Sequence, residues 1–150
     1  MAGIITARIV GGADLQRKLE RFSLQVAKGF VRRGLRAGAN VFKELMVQLA
    51  PRDTGFLAEH FGVKISAKGK EISGSAYVGP QGKIYYPGRE PGKSKKGMAR
   101  AVATVARFLE FGTSRMAPRA FMTQAFENGK NLALNNIIET LKRILSEEAR

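Results

Sequence analysis

Apolar side chains recur at three- and four-residue steps from Leu15 to Leu49, and nothing else in the chain constrains the fold as strongly. Leu15, Leu19, Phe22, Val26 and Phe30 open the stripe; Leu35, Ala39, Phe42, Leu45, Met46 and Leu49 extend it. Between them Gln16, Arg17, Lys18, Arg21, Lys28, Arg32, Arg33 and Arg36 make a solvated basic face. This is the 3.6-residue period of an amphipathic helix, whose apolar side must be covered by other elements. Asp14 stands where an N-cap carboxylate would accept from free backbone amides, and Pro51 ends the run. A helix over 14–49 would be about 50 Å long at ~1.5 Å per residue. Gly29, Gly34 and Gly38 each cost up to ~1 kcal/mol against alanine inside a helix, so a bend or a close contact with a neighbouring backbone is expected there.

The remainder alternates short elements with turns. Ile4, Ile5, Ala7, Ile9 and Val10 predict a short strand closed by Gly11-Gly12. Asp53-Thr54-Gly55 reads as a turn, with Thr54 placed to cap one helical turn holding Phe56 and Leu57. Phe61, Val63 and Ile65 alternate with His60, Gly62 and Lys64, the period of a half-buried strand. After a turn at Lys68-Gly69-Lys70, Ile72, Gly74, Ala76 and Val78 lie opposite Ser73, Ser75 and Tyr77, and the two runs predict an antiparallel hairpin. Ile84-Tyr85-Tyr86 adds a further short strand. Residues 98–111 read two ways, with alternation over Ala101, Ala103 and Val105 against helical spacing of Val105, Phe108 and Leu109. A strand or extended lead-in followed by a short helix near 104–111 reconciles them. Gly112-Thr113-Ser114 breaks that segment, and Pro118 suits the N-terminus of a second long helix. Its stripe is Phe121, Ala125, Leu132, Ile137, Leu141, Ile144 and Leu145, weakened by Gly129 and by Asn128, Asn131, Asn135 and Asn136.

A chain of 150 residues with 44% hydrophobic residues supports one core, and no repeat or linker divides residues 1–150, so a single domain is expected. Without cysteine there are no disulfides and no thiolate metal sites. No apolar run reaches the ~18–20 residues that span a bilayer, and Met1 to Arg8 lacks the layout of a signal peptide; a soluble, unprocessed chain is expected. The net charge is +14, and 19 of the 26 basic residues fall in the first 100 positions. Such a field draws nucleic acid or strongly acidic proteins. Pro87 to Gly97 (PGREPGKSKKG) has nothing apolar to anchor it, which predicts a flexible basic loop at 87–98. Arg89, Lys93, Lys95, Lys96 and Arg100 there can meet DNA phosphates or an acidic partner; no aromatics interleave, so base stacking is not indicated.

Catalytic constellations are missing from the sequence. Asp53-Thr54-Gly55 matches the aspartic-protease triplet, but it follows a basic helix and fits a turn with an Asx-type hydrogen bond better. His60 is the sole histidine and has no partners at metal-ligand spacing. Ser23, Ser94 and Ser114 lack a base. Gly88-x-x-x-Gly92-Lys93-Ser94 is one residue short of a phosphate loop. Glu110, between apolar Phe108, Leu109 and Phe111, is expected to be partly buried and to need a hydrogen-bonding or basic partner such as Arg115, Arg119 or Arg52. No second carboxylate lies nearby in sequence, so Glu110 reads as a structural latch and not as a general acid. No enzyme, cofactor, metal or small-molecule substrate is expected.

Two stretches carry a resemblance. Ala106-Arg107-Phe108-Leu109-Glu110-Phe111-Gly112-Thr113-Ser114-Arg115-Met116-Ala117-Pro118-Arg119-Ala120-Phe121 resembles the aromatic–Glu–Phe–Gly–Thr–Ser…Pro…Phe signature of phage head–tail joining proteins, the tail-completion family of lambda-like siphophages. Pro51, Asp53, Thr54, Gly55 and Leu57 match a second element of that family, which follows its long helix; at Ala120 the family commonly has proline. The resemblance spans roughly residues 12–145 and implies an α+β subunit, a small antiparallel sheet packed with a long N-terminal and a long C-terminal helix. It also implies a non-enzymatic ring, sixfold when matched to a tail tube, at the neck between head and tail. Its partners would be copies of itself, neck and tail-tube proteins and the genome DNA in the lumen, in the virion and, during assembly, the host cytoplasm. A free-standing nucleic-acid-binding protein acting through phosphate contacts is the alternative.

Overall fold

The computed structural model describes residues 13–67, 72–90 and 100–148. The strand expected at 4–10, the Lys68-Gly69-Lys70 turn and the greater part of the 87–98 loop lie outside the described residues. In chain order the elements are α1 (Ala13–Leu19), α2 (Leu24–Leu49), α3 (Phe56–Glu59), β1 (Phe61–Ser66), β2 (Ser75–Pro80), α4 (Val102–Phe111) and α5 (Phe121–Glu148). The architecture is α+β, with two long helices and a small antiparallel sheet.

The N-terminal stripe forms two helices instead of one. Ser23 interrupts it: its hydroxyl accepts from the Val26 N–H at 3.5 Å and its carbonyl from the Ala27 N–H at 2.9 Å, making it the N-cap of α2. Serine competes with helical backbone bonds in this way, which favours it at caps over interiors. Asp14 lies inside the first turn of α1, paired with Arg17 at 3.3 Å on the surface, and is not the cap. Such an exposed pair contributes little. The break lets Phe22 meet Phe30 edge-on, ring centroids 5.2 Å apart, over a core of Leu19, Ala27, Phe30, Leu141 and Ile144.

Helices α2 and α5 pack along their length, and glycine sets how closely. A methyl at Gly38 would stand 2.6 Å from Ile137 Cγ1 and 3.1 Å from the Ala133 carbonyl oxygen. One at Gly129 would stand 2.6 Å from Leu45 Cδ1. The expected close approach to a neighbouring backbone therefore occurs at Gly38; Gly34 packs against the Leu141 side chain, and Gly29 faces open space.

The hairpin pairs Phe61 with Pro80, Val63 with Val78 and Ser66 with Ser75. It packs on α2, and Phe61 meets Phe121 of α5 edge-on at 6.1 Å. Phe61, Phe121, Met46, Leu57, Val102, Ala106 and Ala125 build the larger core. The strand expected at 84–86 is one isolated antiparallel pairing of Tyr85 with Ala101, flanked by Val102 N–H donating to Ile84 O and Tyr86 N–H to Arg100 O. Ala101 is extended and the helix begins at Val102, two residues before the expected start near 104. Among the described residues no helix is long and apolar enough to cross a membrane.

Candidate assembly surface and the Glu110 latch

Helix α4 turns Val102, Ala106 and Glu110 inward, one turn apart, and leaves Arg107, Phe108 and Phe111 outward. Glu110 is only 4% exposed. Its Oε2 accepts from the Met122 N–H at 2.8 Å, and its Oε1 from the Thr123 N–H at 3.0 Å and the Thr123 hydroxyl at 2.5 Å. These amides belong to the first turn of α5, where helical N–H groups have no partner within the helix and the dipole favours an anion. Ala120 precedes the helix and has no side-chain acceptor, so Glu110 of the previous helix serves as its cap. Arg52, Arg115 and Arg119 are exposed and are not its partners.

The intervening loop closes on itself. Gly112 sits at φ 75°, and a methyl there would lie 2.6 Å from Met116 O and 2.8 Å from Pro118 N. Thr113 and Met116 exchange backbone bonds of 2.8 and 3.2 Å, and the Thr113 hydroxyl accepts from Arg115 N–H at 3.2 Å. Arg119 N–H then donates to Leu109 O at 2.8 Å and Ala120 N–H to Glu110 O at 3.2 Å. Ala120 adopts φ 45°. Pro118 lies three residues before α5, not in its first turn, because these returns to α4 delay the helix to Phe121. Ser114 is exposed, and Phe121 is buried against Phe61.

The other motif caps α3. Gly55 is left-handed at φ 76°, and the Thr54 hydroxyl accepts from Phe56 N–H at 3.4 Å. That bond comes from Thr54; the Asx-type bond expected of Asp53 is not the one formed. Pro51 follows the end of α2, and Leu57 enters the core that also receives Phe121, so the two motifs flank one apolar cluster. Phe56 packs at a tilt against Tyr86, ring centroids 4.7 Å apart, and against the His60 ring at 4.2 Å, and His60 Nδ1 bonds Phe56 O at 2.7 Å. Burial, and after it the charge of Asp53, raises the Tyr86 phenol above its usual value of 10.0. A shallow depression lined by Val47, Arg52, Gly55, Ala58 and Glu59 lies alongside. Among the described residues no cluster of His, Asp or Glu could hold a metal ion.

At the base of the basic loop, Arg100 N–H donates to Arg89 O at 3.0 Å, bringing these two residues together. Lys93, Lys95 and Lys96 are outside the described residues. Two contributors were not read from the sequence: Thr123, which grips Glu110, and Ser23. The available signal for the first was a buried glutamate followed by a helix with no capping residue of its own.

The turn between α4 and α5 is latched, and an aromatic pair stands exposed beside it (Phe108 45%, Phe111 59%). The chain belongs to the HK97-gp10-like family of phage tail components: the family model described as "Bacteriophage HK97-gp10, putative tail-component" matches residues 13–112. That match runs from α1 to the glycine of the latch and gives the chain a structural role in a phage. No curated protein and no solved structure matches the chain significantly.

Proposed function

We propose that the chain, acting as one domain over residues 1–150, is a neck subunit that assembles head-to-tail into a closed ring, sixfold on a tail tube, completing the tail and joining it to the head. The observation that supports this best is the outward pair Phe108 and Phe111, on the helix that the inward Glu110 between them ties to α5. Large exposed aromatics are costly in a free monomer and are the residues that anchor interfaces. The occupant is the next copy of the chain. Leu24 and Val26 of α2 and Leu132 of α5 are exposed aliphatic residues on the long helices that can receive the pair. A contact between two different surfaces is heterologous, and when its rotation closes, repeating it makes a ring.

Neck and tail-tube proteins would be the axial neighbours, and genome DNA would occupy the lumen. Arg89, Lys93, Lys95, Lys96 and Arg100 would face that DNA or an acidic neighbour. The protein then resides in the virion, after assembly in the host cytoplasm, and needs neither a cofactor nor a substrate.

The test is the double variant Phe108→Ser/Phe111→Ser in an infection complemented from a plasmid. The proposal expects a folded subunit with unchanged helicity that leaves heads and tails unjoined by electron microscopy. Normal yields of joined particles from that variant would refute it.

A further inference from the structure

The exposed arc of α2 carries a run of positive charge, bounded by Glu44 at its C-terminal end. From Arg21 to Lys43 the sequence contains no carboxylate. Gly34, Gly38, Phe30 and Val41 are buried on one side of the helix, leaving Arg32, Arg33, Arg36 and Asn40 exposed on the other, with Lys43 half-exposed beyond them. Among the described residues Arg32, Arg33 and Arg36 form no ion pair. Arg32 and Arg36 stand one turn, about 6 Å, apart along the axis, and Lys43 about 10 Å further on.

We propose that this arc of α2 is a binding surface for the phosphate backbone of duplex DNA, engaged without reading sequence. The lumen DNA of the proposed ring is its natural occupant, but binding itself does not require the ring. Charge complementarity is the first argument: a duplex carries one negative charge per ~3.4 Å on each strand, so a span of about 17 Å from Arg32 to Lys43 runs beside roughly five phosphates of one strand. Chemistry is the second. Arginine forks match phosphate oxygens, and none of the five side chains is apolar, whereas protein interfaces need aromatic or aliphatic anchors at their centre. The exposed aliphatics of α2, Leu24 and Val26, lie towards its N-terminus, six residues or more before Arg32. Without aromatics there is nothing to stack on bases, so the contact is to the backbone alone.

The experiment titrates the full chain against a short fluorescent duplex between about 50 and 200 mM salt. Expected is a dissociation constant of about 10⁻⁴–10⁻⁶ M at physiological salt, weakening steeply as salt rises. The variant Arg32→Gln/Arg33→Gln/Arg36→Gln should flatten the slope of log affinity against log salt by about 3, and Arg36→Gln alone by about 1. The single variant keeps the test decisive if the triple one loses its helicity. Wild-type affinity and slope in both variants would overturn the proposal. So would loss of binding only in Lys93→Gln/Lys95→Gln/Lys96→Gln, which would assign the DNA contact to the loop. Polyglutamate competing as well as unlabelled duplex at equal charge would assign the arc to an acidic polypeptide and also overturn it. Normal joining of heads to tails by the Phe108→Ser/Phe111→Ser variant, with DNA binding intact, would count against the ring alone.

Discussion

Glu110 and Thr123, thirteen residues apart, are joined twice: the backbone N–H and the hydroxyl of Thr123 both donate to the same Glu110 oxygen, at 3.0 and 2.5 Å. The last turn of α4 thereby caps the first turn of α5, and the Gly112–Ala120 loop between them has fixed ends. Phe108 and Phe111 flank the carboxylate on the same helix and point outward.

Removing that carboxylate should cost more than a surface change can. Glu110→Ala leaves the Met122 and Thr123 amides without their acceptor, and losing charged hydrogen bonds at a buried cap costs about 2–4 kcal/mol. Glu110→Gln keeps one acceptor oxygen and should cost less. Urea denaturation of the three proteins gives the ranking; equal midpoints would remove the latch from the account.

Glycines of one helix should respond in opposite ways to alanine. Gly38→Ala drives a methyl against Ile137 and the Ala133 carbonyl, and overpacking of that kind costs about 1–3 kcal/mol. Gly29→Ala meets open space within α2 and should stabilise by about 0.4–1 kcal/mol through helix propensity and a less flexible unfolded chain. Thermal unfolding midpoints should fall for the first and rise for the second.

Alkaline pH should weaken the fold partly through Tyr86. Its folded phenol is held above 10.0 by burial and by Asp53, so the neutral ring favours the folded state. That contribution is whole below the unfolded value and is lost as pH rises through the folded one. Tyr86→Phe should therefore lose less stability than the wild type between about pH 9 and 11, as the difference between the two in denaturant midpoint over that range. Parallel curves would place the Tyr86 hydroxyl in water.

Periodicity along the chain was enough to establish the long helices, the hairpin and the turns at Asp53–Gly55 and Gly112–Ser114, because repeated burial of every third or fourth residue, or of every second, leaves its mark on local sequence. The helical break at Ser23 was less legible: a serine is compatible with a helix until Phe22 finds Phe30 and its own hydroxyl finds Val26. The partner of Glu110 was not legible at all. Nearby arginines offered opposite charge, but a buried carboxylate is satisfied by whichever donors the packing places within 3 Å, and the packing of α4 against α5 supplied amides. Likewise Gly38 and Gly29 look alike in sequence, and the approach of α5 alone separates them. Local patterns specify which residues must be covered; which groups do the covering depends on distances set by every other contact in the fold.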